Sequence, residues 1–152
     1  YYSGEPYLAR APVGLFELSP QKTALLRIVR LKRMLLDSLV LCVMIPYSYK
    51  QVARVTAAVT GWDTTEVELL RVAERSMNVH QLFNTRRGFS ARDDVIPDRF
   101  FEPVRSGPLA GKPPFLQEEF EQAKRSYYRL MGWDEQGIPS ADKLAELGIN
   151  EL

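Results

Sequence analysis

An all-α fold is predicted by three features of the sequence. Apolar residues recur at helical spacing in several segments, helix-start and helix-stop residues bracket those segments, and no alternating apolar and polar run is long enough for a strand. The expected architecture is an irregular multi-helix domain over residues 19–152, preceded by an extended arm or linker over residues 1–18 and interrupted by one long loop.

The arm carries Gly4, Pro6, Pro12 and Gly14 among Tyr1, Tyr2, Tyr7 and Phe16, a punctuation that breaks any helix. Ser19-Pro20 then supplies an N-cap hydroxyl and a first-turn proline. Leu25, Leu26, Val29, Leu36 and Leu39 continue at helical spacing, and Pro46 is expected to stop the run. Basic residues crowd its first half, whereas Met34–Ile45 is apolar apart from Asp37 and Ser38, so the second half is expected to be buried. A second helix is expected from about Ser48 through Val52, Val55 and Val59, with Gly61 as its left-handed cap. Asp63-Thr64-Thr65-Glu66 reads as a capping box opening a third helix that reaches Phe83. Residues 84–115 are rich in Arg, Asp, Pro and Gly and read as an irregular connector, with a short turn at Ser90–Asp93 and a step at Pro97–Phe101. A fourth helix is expected over Leu116–Met131 with Gly132 as cap, and a short fifth from Ser140 to before Gly148.

Composition excludes several function classes. With 152 residues, 45% hydrophobic and 26% charged, the chain has the makeup of one soluble domain, or of a piece of a longer polypeptide, as a first residue of Tyr rather than Met also suggests. Twenty basic residues nearly cancel 19 acidic ones, so no strong field favours nucleic acid or an anionic membrane. The interrupted run Met34–Pro46 falls short of the roughly 20 residues that span a bilayer, and no signal segment precedes it. One cysteine, Cys42, and one histidine, His80, preclude an internal disulfide and a self-contained zinc site, which points to a reducing, cytoplasmic setting.

Asp37 is a carboxylate inside an apolar helical stretch, costly there unless something binds it. Cys42 follows five positions later, about 500° of rotation on if the helix stays regular, and hence on another face. On spacing alone, Cys42 reads as a small buried hydrophobe and Asp37 as the partner of an arginine such as Arg33. His80 reads as structural or solvent-facing, and Asp93-Asp94 as a turn cap or as partners of Arg92 and Arg99. Arg86 and Arg87 read as salt-bridge partners of these acids, with contact to a phosphate or to a neighbouring subunit as the alternative. Tyr127, Tyr128, Trp133 and Phe120 read as core around the last helix pair.

The segment DSLVLC resembles the Asp-x-x-Gly-Leu-Cys motif of the tungsten-containing aldehyde ferredoxin oxidoreductase family. Two later stretches are similar to further family patterns in the same order: ERSMNVHQLFNTRRGFSARDDVIPDRFFEP, and YYRLMGWDEQGIPSADKLAELGI near the end. The resemblance spans most of Ser19–Leu152. It implies the C-terminal helical domain of a longer oxidoreductase that oxidises small aldehydes to carboxylates and passes the electrons to ferredoxin. Its cofactors would be tungsten, or molybdenum, between two pterin dithiolenes, and one 4Fe-4S cluster. Carried over residue by residue, Cys42 is implied as the fourth cluster ligand, Asp37 as acceptor for a pterin amino group, and Leu41 as a backbone contact of the pterin. Val40 stands where the family has glycine.

The resemblance implies that the other three cluster cysteines stand in a Cys-x-x-Cys-x-x-x-Cys motif far upstream, absent from these 152 residues, so the chain alone is expected to hold no cofactor and to be inactive. Expected partners are the upstream domains, ferredoxin and the aldehyde, with no nucleic acid or membrane; homo-oligomer formation stays open. The competing class is a non-catalytic helical module that kept the fold and lost its cofactors.

Overall fold

The computed structural model describes residue 14, residues 16–108 and residues 110–149. The expected arm therefore lies almost entirely outside the described residues. Within them the chain forms five α-helices: α1 (Pro20–Ser38), α2 (Tyr49–Thr60), α3 (Glu66–Arg86), α4 (Gln117–Met131) and α5 (Ala141–Glu146), with a 3-10 turn at Asp98–Phe100. Two isolated bridges, Val104 with Ala110 and Trp133 with Pro139, are the β pairing among the described residues. The all-α expectation holds.

Local chemistry sets each helix end. Ser19 Oγ accepts from the Lys22 amide at 3.3 Å, and Pro20 fills the first turn, where a missing N–H is harmless. In α2, Ser48 and Gln51 form a reciprocal capping box, at 3.2 Å and 2.8 Å. Gly61 closes that helix at φ 75°. The capping box of α3 is Thr65 with Glu68 rather than Asp63 with Glu66, and the helix extends past Phe83 to Arg86. The shift has a simple cause: Thr65 adopts the extended backbone of an N-cap, and Glu68 is the acid that stands three residues after it.

The first helix departs most from expectation. It ends at Ser38, seven residues before the apolar run does. The Leu41 amide donates to the Leu36 carbonyl at 2.9 Å and the Val40 amide to the Asp37 carbonyl at 3.3 Å, the paired bonds of a Schellman turn. Asp37 and Ser38 are weak helix formers whose short polar groups compete for the backbone, and the turn closes directly after them. Apolar character alone could not carry the helix onward. The segment beyond is consequently not a buried helix face: Val40 is 92% exposed and Met44 75% exposed, while Leu39, Leu41 and Val43 pack against the core edge.

The core forms where α1 packs against α3 and α4, and α2 against α3. Leu31, Leu35, Tyr49, Val52, Leu69 and Ala73 are its buried centre. The Tyr49 hydroxyl donates to the Ile28 carbonyl at 3.3 Å and pins α2 to α1. Glu74, buried on the inner side of α3, receives Arg27 of α1 at 2.6 Å and Lys143 of α5 at 2.9 Å. Beside it Asn78 is fully buried, donating to the Glu74 carbonyl at 2.9 Å and accepting from Trp133 Nε1 at 2.8 Å. The carboxylate of Glu74 and the amide of Asn78 are thus both partnered, as burial requires, while Arg27 Nε is buried without a partner.

The long connector is packed rather than free. Phe115 lies between Phe16 and Phe100, at 6.1 and 6.3 Å. The Ala91 amide donates to the Gln136 carbonyl at 2.9 Å, and Lys124 Nζ reaches the Ala91 and Asp94 carbonyls at 3.2 and 3.3 Å. The Ser90 turn forms as expected, with Asp93 accepting from the Ser90 amide at 2.8 Å.

Candidate functional site

The site residues picked out from the sequence meet at the C-terminal turn of α1. Asp37 sits in the last helical turn, Val40 occupies the left-handed position at φ 55°, Leu41 follows it, and Cys42 comes next. Asp37 is exposed, not buried, and Arg33 Nε donates to its two carboxylate oxygens at 3.1 and 3.0 Å. Cys42 is exposed as well, which corrects the expectation of a buried thiol. Because the helix has already ended, the 500° argument no longer applies: Cys42 lies on the turn, not on a second helix face.

This turn is what positions the groups. Leu41 rests against the core cluster, and its amide bond back to Leu36 fixes the chain direction, so Cys42 is held one residue beyond an anchored point. The Ile45 amide returns to the Cys42 carbonyl at 3.2 Å and closes the loop on its far side. Val40, Met44 and Ile45, close to Cys42 in the chain, are exposed, so the turn pairs one soft ligand and one carboxylate with uncovered apolar side chains. A groove of about 270 Å³ runs alongside, lined by Arg30, Arg33, Leu36, Val43, Ile45 and Tyr47.

The donor set can be tested against the implied cofactors. Among the described residues, no group of three or more His, Cys, Asp or Glu side chains could hold a metal ion. A 4Fe-4S cluster takes about four thiolates, so one accessible thiol fits as a single ligand of a cluster completed elsewhere, and not as a site of its own. An exposed carboxylate on the same turn fits the donor-rich edge of a pterin.

The remaining candidates go to structure. His80 is exposed on α3, at the rim of a cavity of about 800 Å³ between α1, α3 and α4. Asp93 caps the Ser90 turn, and Asp94 accepts the Tyr128 hydroxyl. Burial, reinforced by that carboxylate, pushes the Tyr128 hydroxyl well above the usual tyrosine range. Arg87 lies over the Phe83 ring at 5.3 Å rather than on the two acids. Trp133 packs against Tyr127 and Tyr128 at 5.9 and 5.8 Å, as the core reading expects, whereas Phe120 pairs with Phe101 of the connector at 5.9 Å. The Arg27–Glu74–Lys143 network escaped the sequence reading. Its one visible trace is that Glu74 and Asn78 fall beside the Leu69, Ala73 and Met77 stripe of α3.

Comparison with known proteins agrees with the motifs. The family model described as aldehyde ferredoxin oxidoreductase, domains 2 and 3, matches residues 3–149. The tungsten-containing aldehyde ferredoxin oxidoreductase of Pyrococcus furiosus is 42% identical over 97 residues, covering 62% of this chain and 15% of that protein. The enzyme of the same name from Thermococcus kodakarensis is 38% identical over the same shares. An aliphatic sulfonate oxidoreductase, WOR-like subunit, of Pyrococcus furiosus is 47% identical over 60 residues, 40% of this chain and 10% of that one. The chain thus spans about 15% of the length of the curated aldehyde oxidoreductases it matches. Among solved structures, the active-site complex BamBC of benzoyl coenzyme A reductase with 1,5-dienoyl-CoA superposes with a TM-score of 0.70 at 21% identity, over 95% of this chain and 21% of that one, a likeness of fold. No helix among the described residues is long and apolar enough to cross a membrane. With motifs, helical architecture and a match over residues 3–149 in agreement, this chain belongs to the aldehyde ferredoxin oxidoreductase family.

Proposed function

We propose that this chain is the C-terminal helical part of a cytoplasmic tungstoenzyme that oxidises aldehydes to carboxylates and delivers the electrons to ferredoxin, and that its own contribution is the α1 turn. In this reading Cys42 is the fourth ligand of a 4Fe-4S cluster, the Asp37 carboxylate accepts a pterin amino group, and the Leu41 backbone lines the pterin. The observation that carries it is the exposure of the sole thiol, Cys42, on an anchored turn that also presents Asp37 and uncovered apolar side chains. A cysteine kept for packing would be buried.

When bound, the tungsten pterin supplies the two-electron chemistry and the cluster passes electrons on singly. The protein's part is orientation and exclusion of water. Leu41, packed on the core, keeps the backbone beside Cys42 from shifting, and Asp37 offers an acceptor that specifies which edge of the heterocycle faces the turn. Val40, Met44 and Ile45 form an apolar collar that the upstream domains would cover, drying the surroundings of the thiolate.

The test is iron, labile-sulfide and tungsten analysis of the full-length enzyme, purified without oxygen, beside Cys42→Ser. About four irons with tungsten in the native enzyme, and a lost or degraded cluster in the variant, is the expected result. No iron in either protein would overturn the enzyme reading in favour of a structural module, and an intact cluster in Cys42→Ser would remove Cys42 from the ligand set.

A further inference from the structure

Arg33 and Asp37 form an ion pair on the turn that carries Cys42, and the pair is poorly built for stabilising a helix. An acid in the last turn faces the negative end of the helix macrodipole. The order Arg then Asp at i,i+4 is also the weaker orientation of such a pair, and side-chain exposures of 59% and 50% leave it open to solvent. Nothing in α1 gains much from placing a carboxylate there.

What the pair does achieve is to fix that carboxylate. The Asp37 carbonyl is held by the Val40 amide at 3.3 Å, so its backbone is set by the turn. Its two oxygens are then held by a single Arg33 N–H at 3.1 and 3.0 Å. Arg33 in turn lines the groove whose far wall, Val43, Ile45 and Tyr47, is the segment that follows Cys42. One arginine therefore both holds the carboxylate and lines the groove shared with the segment after the thiol.

We propose that Arg33 is a positioning residue for cofactor binding: it keeps the Asp37 carboxylate aimed so that it can accept the amino group of a pterin. This rests on the reading of Asp37 given above. An acceptor already held in place loses little freedom when the heterocycle arrives, and its charge stays balanced once the upstream domains exclude water. Arg33 would act only through Asp37.

The experiment measures the rate at which the full-length enzyme releases its pterin, followed by the fluorescence of the oxidised cofactor, together with tungsten content and melting temperature. The proteins are wild type, Arg33→Gln, Arg33→Lys, Asp37→Asn and the double variant Arg33→Gln/Asp37→Asn. Outer partners of cofactor ligands commonly change affinity by about tenfold or more, so Arg33→Gln and Asp37→Asn are each expected to speed release about tenfold. Arg33→Lys should recover part of the loss, because an ammonium still reaches one oxygen. The double variant should release no faster than Asp37→Asn, and all melting temperatures should stay within about 1 °C, as for an exposed pair. Wild-type retention in Arg33→Gln beside loss in Asp37→Asn overturns the role of Arg33 and leaves Asp37 standing. Additive losses in the double variant also overturn it, since Arg33 would then act without the carboxylate. Wild-type retention in Asp37→Asn removes the pterin reading of Asp37 and this proposal with it.

Discussion

Val40→Gly is expected to stabilise the fold, although it deletes a hydrophobic side chain. Val40 holds φ 55° at the position after the helix cap, where the Schellman turn demands a left-handed residue. That conformation costs an L-residue about 1–2 kcal/mol, and a β-branched side chain stands at the unfavourable end of that range. Because Val40 is 92% exposed, the burial lost on truncation is only about 0.1 kcal/mol. Glycine's greater freedom in the unfolded chain takes back about 0.4–1 kcal/mol. The net gain is about 1–1.5 kcal/mol, or roughly 3–5 °C in melting temperature for a chain of this size. Urea denaturation of the chain and its variant should show a raised midpoint with an unchanged slope. Val40→Ala should gain less, because its Cβ remains. The control is Val59→Gly, at an 81% exposed position inside α2, which should destabilise by a few tenths of a kcal/mol through helix propensity alone. A Val40→Gly midpoint at or below that of wild type would refute the assignment of the left-handed turn to residue 40.

Two further outcomes follow from the buried polar strip. Burial alone would raise the Glu74 carboxyl, but hydrogen bonds from Lys143 and Arg27 outweigh it and hold the group below its ordinary value of 4.5. A depressed folded pKa means that the contribution is complete above about pH 4.5 and disappears as pH falls through the folded value. Glu74→Gln should therefore destabilise by about 3 kcal/mol at neutral pH, and the gap from wild type in urea midpoints should narrow only below pH 4.5; a gap that stays constant to pH 3 would refute the linkage. Trp133→Phe leaves Asn78 Oδ1 buried without a donor, which costs about 1–3 kcal/mol. The double variant Trp133→Phe/Asn78→Leu should recover part of that loss, and a double-mutant cycle with no coupling would show that the bond carries no stability.

The family was legible in the sequence because three motifs stand in order, and the helices were legible where a local rule decides them. Ser19-Pro20, Gly61 and Gly132 mark helix ends through backbone chemistry confined to a few residues. Where two local rules competed, the sequence was ambiguous: Asp63 and Thr65 both suit an N-cap, and only the extended backbone at Thr65 chose between them. The end of α1 was misread because periodicity sees the run from Met34 to Ile45 and not the carbonyls that must be closed after Leu36.

The site divides in the same way. The residue types were set by sequence: a lone thiol, Cys42, and an acid in an apolar run, Asp37, stand out by themselves, and Leu41 follows from the family motif. Their exposure, their common turn and the Arg33 bond were decided by tertiary structure, because each depends on where α1 stops and on which groups the returning 43–47 segment leaves uncovered. The Arg27–Glu74–Lys143 network lies wholly on that second side: its partners come from three helices far apart in the chain, and only the packing of α1 and α5 on α3 brings their charges together.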